Sequence, residues 1–342
     1  MKKTRFLLFA SLLFSLIVLF VAVGTGSVFI SPKESFRILA HRLFSLPADS
    51  TIPAYRVAII ADLRLPRVLL AFIAGGALSV SGAVMQSVLK NPLASSFTLG
   101  VSSGASLGAG TVILFGFTGA LHGFVTVPAA GFAISLLTVF FLLRFSRAID
   151  PSFQNNTIIL AGMILSLFLN AVLTLFSALS TDGLKNLLSW QLGSFALKGY
   201  APVLILAPIA ALGSLAIFRY RRELDILTFG TDEAASLGVP VKKTKNILIT
   251  IASILTGCTI AFTGVIGFID LAIPHMVRRI WGPAHRTLIP FSLLFGGTFM
   301  VLADLFCRTA LPSAELPVGA VTAILGAPVF AHIYLTSRRR GA

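Results

Sequence analysis

Charged residues are scarce in this chain. Asp, Glu, Lys and Arg make up 11% of its 342 residues, whereas soluble domains carry about 25%. A domain with so few charges cannot present a water-compatible surface, so the composition excludes an ordinary soluble protein. Long stretches lack charge altogether, and a membrane-spanning helix needs about 20 such apolar residues. These stretches are 6–32, 68–89, 91–143, 151–181, 199–218, 246–269 and 316–337.

Acidic residues are rarer than basic ones. Twelve Asp and Glu stand against 27 Lys and Arg, which gives a net charge of +15. In a soluble protein this excess would suggest a nucleic-acid partner. Here the basic residues form clusters between apolar stretches and do not interleave with aromatic residues on one face. We therefore expect no nucleic acid, and assign the clusters to helix orientation and contact with lipid headgroups.

Cysteines are few, and motifs for catalysis are missing. Cys258 and Cys307 both lie in apolar stretches, and their spacing fits neither a zinc nor a redox site. Such residues are typically buried thiols. The sequence contains no phosphate-binding loop, nucleophile elbow, zinc-binding histidine pair or paired carboxylates. We predict that the chain is not an enzyme, that it needs no cofactor or metal, and that any ATP hydrolysis takes place on another chain.

The apolar stretches predict an all-α polytopic membrane protein, with one transmembrane domain over residues 1–342 and about ten spanning helices. The eighth is short and contains Asp270 and Pro274, so we expect it to be broken or tilted. The N-terminal segment resembles a signal peptide, but its apolar core of 18 residues exceeds the usual 7–15, which favours a retained first helix. The predicted helices cover 6–30, 67–89, 96–116, 124–143, 158–179, 201–219, 246–265, 266–281, 287–307 and 317–336.

The distribution of Lys and Arg predicts the orientation. With the N-terminus in the cytoplasm, 18 of the 27 basic residues lie on the cytoplasmic side. Both termini are then cytoplasmic. Six of the other nine lie in one outer segment, 31–67. An acidic periplasmic partner that binds Arg64, Arg67 and Arg308 would explain this exception, and arginines that reach the lipid headgroups are the alternative.

A weak internal repeat is present. Ten residues separate Gly82 from Pro92, and ten separate Gly264 from Pro274, in flanks of similar apolar texture. The helices that carry the two glycines run in opposite directions in the predicted topology, which is typical of two inverted-topology halves. Chance similarity in a glycine-rich apolar chain is the alternative, and both interpretations stay open.

Two acidic residues lie within apolar stretches, where a charge costs roughly 2.5–3.5 kcal/mol on insertion scales. Asp304 is four residues from Arg308, which predicts an ion pair near the outer interface. Asp270 has no such neighbour, and a proton or ion relay is one interpretation of it.

The longest inner loop contains two short helical turns, at 225–240. Thr231 suits the N-cap position. Asp232 and Glu233 follow, where the helix dipole favours negative charge, and Gly238 suits the left-handed position that ends a helix. A helix of about six residues is not stable alone. We therefore expect the rest of the protein or a partner to hold this segment; a solvated connector is the alternative.

Several sequence blocks, in the same order, closely resemble the FecCD-type permeases, which are the membrane subunits of ABC importers for iron siderophores, haem and cobalamin. The resemblance covers about residues 60–335. The blocks are RLPR (64–67), SGAVMQSVLKNPLA (81–94), LGVSSGASLG (99–108), EAASLGVPV (233–241), GFIDLAIPHMVR (267–278), GPAHR (282–286), LAD with the arginine that follows it (302–308) and AELPVGAVTAILGAPVF (314–330).

The resemblance implies an assembly and a cargo. It implies a type II ABC importer permease with ten helices that pairs with a second permease copy, most simply as a homodimer. A cytoplasmic dimer of ATPase subunits and a periplasmic or lipid-anchored substrate-binding protein complete the assembly. The expected cargo is a ferric siderophore, the commonest in the family, with haem and cobalamin as alternatives.

The resemblance also implies roles for individual residues. Docking of the binding protein falls on Arg64, Arg67 and Arg308. Coupling to the ATPase falls on Gly230, Thr231, Asp232, Glu233, Ala234, Leu237 and Gly238. The translocation pathway and its gate fall on Asn155, Asn156, Met163, Ser166 and Asn170. The chain departs from the family at the gate, where two asparagines replace small hydroxyl residues, and at Asp270, which replaces a glycine.

Two other functions are compatible with a polytopic membrane protein. An ion-coupled secondary transporter would also contain inverted repeats and would use Asp270. A membrane enzyme or scaffold would support no substrate flux.

Overall fold

The computed structural model describes residues 2–26, 28–44, 51–116, 123–180, 183–311 and 314–338. Residue 27, part of the basic segment 31–67 and the arginines at 339 and 340 lie outside these ranges. Within them the chain forms fifteen α-helices, a π-helical segment (Ile59–Arg64) and no strand. The helices are α1 (Lys2–Gly24), α2 (Pro32–Phe44), α3 (Ala54–Ala58), α4 (Leu65–Val88), α5 (Val101–Phe115), α6 (Gly123–Ile149), α7 (Asn155–Leu179), α8 (Leu184–Gln191), α9 (Ala201–Arg219), α10 (Arg221–Leu227), α11 (Thr231–Ser236), α12 (Val241–Thr263), α13 (Ile269–Trp281), α14 (His285–Thr309) and α15 (Val318–Arg338).

Ten of these helices coincide with the ten predicted ones, namely α1, α4–α7, α9 and α12–α15. Seven helices of the described residues are long and apolar enough to cross a membrane. By contrast, α5 and α13 have 15 and 13 residues, or about 22 and 20 Å of helix against a hydrocarbon core of about 30 Å. Irregular segments precede both, at 89–100 and 264–268. Such backbone is tolerated at membrane depth where protein surrounds it.

The eighth predicted helix is short but not broken, since α13 runs continuously from Ile269 to Trp281 through Asp270 and Pro274. A gap separates it from the helix before it. α12 ends at Thr263 and α13 starts only at Ile269. Gly264 and Phe268, at the two ends of the gap, both have left-handed backbones, with φ of +76° and +69°. A β-carbon on Gly264 would lie 2.1 Å from the carbonyl oxygen of Trp190. The chain therefore requires a glycine here, and α13 is a short, separate element.

Two helices that the apolar pattern did not predict are α2 and α8. α2 is rich in charge and therefore escapes a search for apolar spans, but a capping motif in the sequence marks its start. The Ser31 hydroxyl accepts from the Glu34 N–H at 3.3 Å, and the Ser31 N–H donates to the Glu34 carboxylate at 3.2 Å. This reciprocal pair is a capping box, whose sequence signature is a serine three residues before a glutamate.

α4 is the central helix of the fold. Twenty of its 24 residues are buried, and it packs against α9, α12, α13 and α14. At its crossing with α14, each helix contributes two consecutive glycines, Gly75 and Gly76 of α4 and Gly296 and Gly297 of α14. A β-carbon on Gly75 would lie 2.3 Å from the Gly296 carbonyl oxygen, and one on Gly297 would lie 2.6 Å from the Phe72 ring. Small residues let helix backbones approach closely where lipid provides no hydrophobic drive for association.

The two segments of the proposed internal repeat differ in local structure. Gly82 lies inside α4, whereas Gly264 follows the end of α12. Pro92 lies in the irregular segment after α4, whereas Pro274 lies inside α13. The glycine–proline spacing therefore does not mark equivalent positions of two repeated helices. Gly82 instead marks the crossing of α4 and α13, because a β-carbon there would meet the Asp270 carbonyl oxygen at 1.8 Å.

Candidate functional site

A polar cavity of about 620 Å³ lies between α5 and α7. It holds three of the five predicted pathway residues, since Met163, Ser166 and Asn170 of α7 line it together with serines of α5. Its lining contains hydroxyl and amide groups but no charged side chain. Such groups can form hydrogen bonds with a solute without binding it by charge. The lining consists of Phe97, Thr98, Ser102, Ser103, Ser106, Met163, Ser166, Leu167, Asn170, Gln191 and Val265.

The two predicted gate residues lie in a different cavity. Asn155 and Asn156 begin α7 and line a space of about 550 Å³ shared with Thr231 and Asp232 of α11. Asn156 is exposed, but the side-chain Oδ1 of Asn155 accepts a hydrogen bond of 2.7 Å from the buried ammonium of Lys245. No sequence pattern pointed to this contact, because Lys245 belongs to α12 and is 90 residues away.

Asp150 fixes the turn that leads into α7. Its carboxylate accepts hydrogen bonds from the Ser152 and Gln154 N–H groups, both at 2.9 Å, and from the Thr157 hydroxyl at 3.2 Å. Hydrogen bonds, first of all from the Ser152 side chain, lower the pKa of Asp150 to about 2. The carboxylate therefore stays ionised at physiological pH, and its hydrogen bonds fix the start of α7, where the predicted gate residues lie.

The short helices α10 and α11 form the predicted coupling segment. α11 ends in a Schellman motif, since the Val239 N–H bonds to the Ala234 carbonyl and the Gly238 N–H to the Ala235 carbonyl. Gly238 is left-handed, with φ of +81°. The expectation for Thr231 is corrected. It is the first helical residue, and Gly230 takes the N-cap position with no side-chain cap bond.

The rest of the protein holds this segment. Leu224, Leu227 and Ala234 are buried, and the Asp225 carboxylate accepts hydrogen bonds from the backbone N–H of His285 at 2.8 Å and from its ring. A freely solvated connector is therefore the wrong alternative. Asp232, Glu233 and Gly238 remain exposed. Two apolar side chains also stay open to solvent, Phe229 at 73% and Leu237 at 67%.

The three predicted docking arginines cluster at the far end of α4, about 36 Å away along its 24 residues. They line a cavity of about 520 Å³ with Glu315. Arg64 donates to the backbone oxygens of Gly24 at 2.8 Å and Val28 at 2.7 Å. The arginines are thus largely buried and bonded within the chain, where the sequence suggested exposed cations.

Asp304 lies at the centre of this cluster. The predicted pair with Arg308 is present at 3.7 Å, and the Arg308 guanidinium also donates to the Ala22 carbonyl oxygen. The closer partner is Arg67 of α4, whose guanidinium donates to both Asp304 oxygens at 3.0 Å and to Glu315 at 2.8 Å. Hydrogen bonding to Arg67 lowers the pKa of Glu315.

Replacing Arg67 with glutamine is expected to destabilise the protein by about 3–5 kcal/mol, because it leaves the Asp304 carboxylate buried without its main partner. Asp304 is 1% exposed and Arg67 11%. The measurement is the thermal unfolding midpoint of the purified protein in detergent. Arg56→Gln is the control, since the Arg56–Glu34 pair is 31% and 27% exposed and ion pairs open to solvent contribute little to stability. Equal losses in the two variants would contradict the expectation.

Asp270 lies in the first turn of α13 and is 2% exposed. Its Oδ2 atom has no hydrogen-bond partner in the described part of the chain. Asp270 is absent from the lining of the cavity between α5 and α7. The Asp270 backbone packs against Gly82 and Gln86 of α4, where α4 and α13 cross.

Comparisons with known proteins agree on one kind of membrane transporter. The profile of the FecCD transport family matches residues 12–338. The ABC transporter permease protein YvrB of Bacillus subtilis is 41% identical, over 96% of this chain and 93% of its own. The vitamin B12 import system permease protein BtuC of Klebsiella pneumoniae is 34% identical, over 99% and 96%. A solved structure of a metal-chelate type ABC transporter, in an inward-facing conformation, is similar with a TM-score of 0.83 and 28% identity, over 97% of this chain and 99% of that one.

Proposed function

Because the chain belongs to the FecCD transport family of ABC importer permeases, we propose that it carries a ferric siderophore across the cytoplasmic membrane. The chain is an integral membrane protein and not itself an enzyme. Permeases of this kind act with an ATPase and a binding protein. The observation that carries the proposal is the cavity between α5 and α7, whose lining combines hydroxyl and amide groups with apolar side chains, contains no charged side chain and suits the passage of a large chelate.

Cobalamin is the second candidate cargo. The relatives from Klebsiella pneumoniae and Halobacterium salinarum, at 34% and 33% identity, are named as permeases for vitamin B12 or cobalamin. Cobalamin is also a large metal chelate with many amide groups, so the same uncharged lining suits it. Uptake assays with both compounds decide between them.

A second copy of the chain is proposed to complete the pathway. Asn170 and Met163 are exposed on α7, and they share this helix with exposed apolar residues such as Leu167. A polar amide that faces lipid is costly. A homodimer in which α7 faces its counterpart would shield the amide, and the two polar cavities would then border one passage.

The coupling segment is proposed to bind the ATPase, and the arginine cluster to bind the substrate-binding protein. Two exposed apolar side chains, Phe229 and Leu237, support the first assignment. In the second, three guanidinium groups against two carboxylates leave a net positive charge for an acidic partner, which would compete with Asp304 and Glu315. The coupling segment then faces the cytoplasm and the arginine cluster faces the periplasm, with both chain termini cytoplasmic.

Uptake into proteoliposomes tests the proposal. The permease is reconstituted with its ATPase and binding protein, and radiolabelled ferrichrome (a ferric siderophore) and cyanocobalamin are offered separately. We expect uptake of one probe that requires ATP and persists when ionophores collapse the proton and sodium gradients. Asp270→Asn should retain this uptake, because the substitution keeps the backbone contact with α4 and Asp270 does not line the cavity. Uptake that stops with the gradient or with Asp270→Asn would favour an ion-coupled transporter.

A further inference from the structure

A buried group of polar side chains connects the coupling segment with the membrane helices. It begins at Asp225 of α10, whose Oδ1 lies 2.6 Å from Nδ1 of His285, the first residue of α14. The other ring nitrogen, Nε2, lies 2.7 Å from the Ser87 hydroxyl of α4. His285 is 0% exposed and Ser87 4%. Three helices that are distant in sequence thus meet through one imidazole ring.

The connection continues into α13. Arg278, in the last turn of α13, donates to the Ser87 hydroxyl oxygen at 3.0 Å and to the Ala83 carbonyl at 3.1 Å. Its guanidinium also donates to the Gln86 carbonyl oxygen. The Gln86 amide in turn donates to the backbone oxygens at the other end of α13, those of Asp270 and Leu271, both at 3.2 Å. Both ends of α13 are therefore tied to α4. The polar network consists of Asp225, His285, Ser87, Arg278 and Gln86.

Charged groups lie at both ends of the polar network. Burial alone would raise the pKa of Asp225, but hydrogen bonds from His285 outweigh burial and lower it. The ionised carboxylate therefore accepts from the His285 Nδ1–H. At the other end, the Ser87 oxygen accepts from Arg278, and the Ser87 hydroxyl lies within hydrogen-bond distance of both the Ala83 carbonyl oxygen, at 2.8 Å, and Nε2 of His285, at 2.7 Å. The Arg278 cation lies at one end of the polar network and the Asp225 anion at the other. Hydrogen bonds to such charged groups are about twice as strong as neutral ones.

Serine, histidine and aspartate in this order also occur in hydrolases. Here the Ser87 hydroxyl is buried near the C-terminal end of α4, and its oxygen already accepts a hydrogen bond from the Arg278 guanidinium. Ser87 lines neither the cavity between α5 and α7 nor the one beside α11. A substrate has no route to this oxygen, so the arrangement acts as a mechanical connection and not as a nucleophile.

α13 leads from the polar network to the cavity. The irregular segment 264–268 precedes it, and Val265 of this segment lines the cavity between α5 and α7. A displacement of α10 that is transferred through His285 to Ser87 and Arg278 would move α13 as a short rigid unit. The backbone around Val265 would move with it, and the cavity would change its shape.

We propose that the polar network transmits movement of the coupling segment to α4 and α13, and that Ser87, His285 and Asp225 are positioning residues of the transport cycle. This inference rests on the proposed function. Hydrogen bonds in a buried, low-dielectric environment are stiff and directional, so they transfer displacement where loose apolar contacts would slip.

The test compares two buried serines. Ser87→Ala removes the central hydroxyl of the polar network. Ser292→Ala is the matched control, because Ser292 is also buried, lies on α14 and has no hydrogen-bond partner in the described part of the chain. The full complex with ATPase and binding protein is assayed in proteoliposomes with ferrichrome and cyanocobalamin. The readouts are probe molecules imported per ATP hydrolysed, ATPase co-purification and the thermal unfolding midpoint.

We expect Ser87→Ala and Asp225→Asn to lower the number of probe molecules imported per ATP by about fivefold or more, the smaller end of ordinary coupling energies. Co-purification of the ATPase should be unchanged, and Ser87→Thr, which keeps the hydroxyl, should restore the ratio. An unchanged ratio in both variants overturns the inference while ATP-dependent uptake stands. No ATP-dependent uptake of either probe by the unsubstituted complex overturns the proposed function and the inference with it. If Ser87→Ala fails to fold, Asp225→Asn, whose side chain is 40% exposed, decides alone.

Discussion

Replacing Gly296 with alanine is expected to lower the yield of folded protein sharply. The added β-carbon would lie 2.4 Å from the Ser79 β-carbon and 2.5 Å from the Gly75 carbonyl oxygen. Neither neighbour is the flexible end of a side chain, so α4 and α14 must separate. Overpacking costs about 1–3 kcal/mol even where side chains can yield, and the α4–α14 crossing holds the central helix. The measurement is the amount of monodisperse protein after detergent extraction, followed by its thermal unfolding midpoint.

The control for this expectation is Gly267→Ala. A β-carbon on Gly267 would have the Phe97 ring as its nearest neighbour, at 3.9 Å, which is ordinary van der Waals contact. Its yield and midpoint should match those of the unsubstituted protein. If Gly296→Ala is as stable as Gly267→Ala, the close approach of α4 and α14 is not required for the fold.

Replacing Leu237 with aspartate is expected to abolish co-purification of the ATPase and, with it, ATP-dependent uptake. Leu237 caps the C-terminal end of α11 and is 67% exposed. Its replacement should therefore leave membrane insertion and stability unchanged. A buried apolar contact with the ATPase would lose its hydrophobic contribution and gain an unpaired charge, which costs several kcal/mol in an interface.

Leu197→Asp is the matched control for the ATPase contact. Leu197 is 86% exposed but lines the cavity of the arginine cluster, at the other end of α4. The ATPase should co-purify normally with this variant. Normal ATPase binding and normal uptake in Leu237→Asp would sink the assignment of α11 as a coupling helix, while the membership of the chain in the permease family would stand.

Local features of the fold could be read from the sequence because they depend on neighbours along the chain. The apolar stretches predicted ten helices, but the short eighth, which was expected to be broken or tilted, is continuous from Ile269 to Trp281. Gly238 was expected to end α11 in the left-handed conformation, which it does. The pattern failed for α2, whose charges hide it from a search for apolar spans. The glycine–proline spacing did not mark equivalent helix positions, because spacing alone does not reveal helix ends.

The site was only partly predictable. Met163, Ser166 and Asn170 lie at helical spacing on α7 and do line one cavity. The arginine cluster was expected from an excess of outer charge, but its buried state was not. Charge counting predicts the side of the membrane on which a residue lies, but it does not predict which side chains of other helices contact that residue.

The sequence by itself determined that this is a polytopic helical membrane protein, where its ten apolar helices lie, and to which family its ordered blocks point. Composition, hydropathy and motif order are properties of the linear chain, and each helix satisfies its backbone hydrogen bonds internally. Only the tertiary structure decided which polar groups meet. Arg67 and Asp304 are 237 residues apart, and His285 and Asp225 are 60 apart. Such pairs depend on which helix faces which, and helix packing in lipid is decided by close approach of small residues across the bundle. For the same reason, the path from α10 through His285 to α13 became visible only in three dimensions.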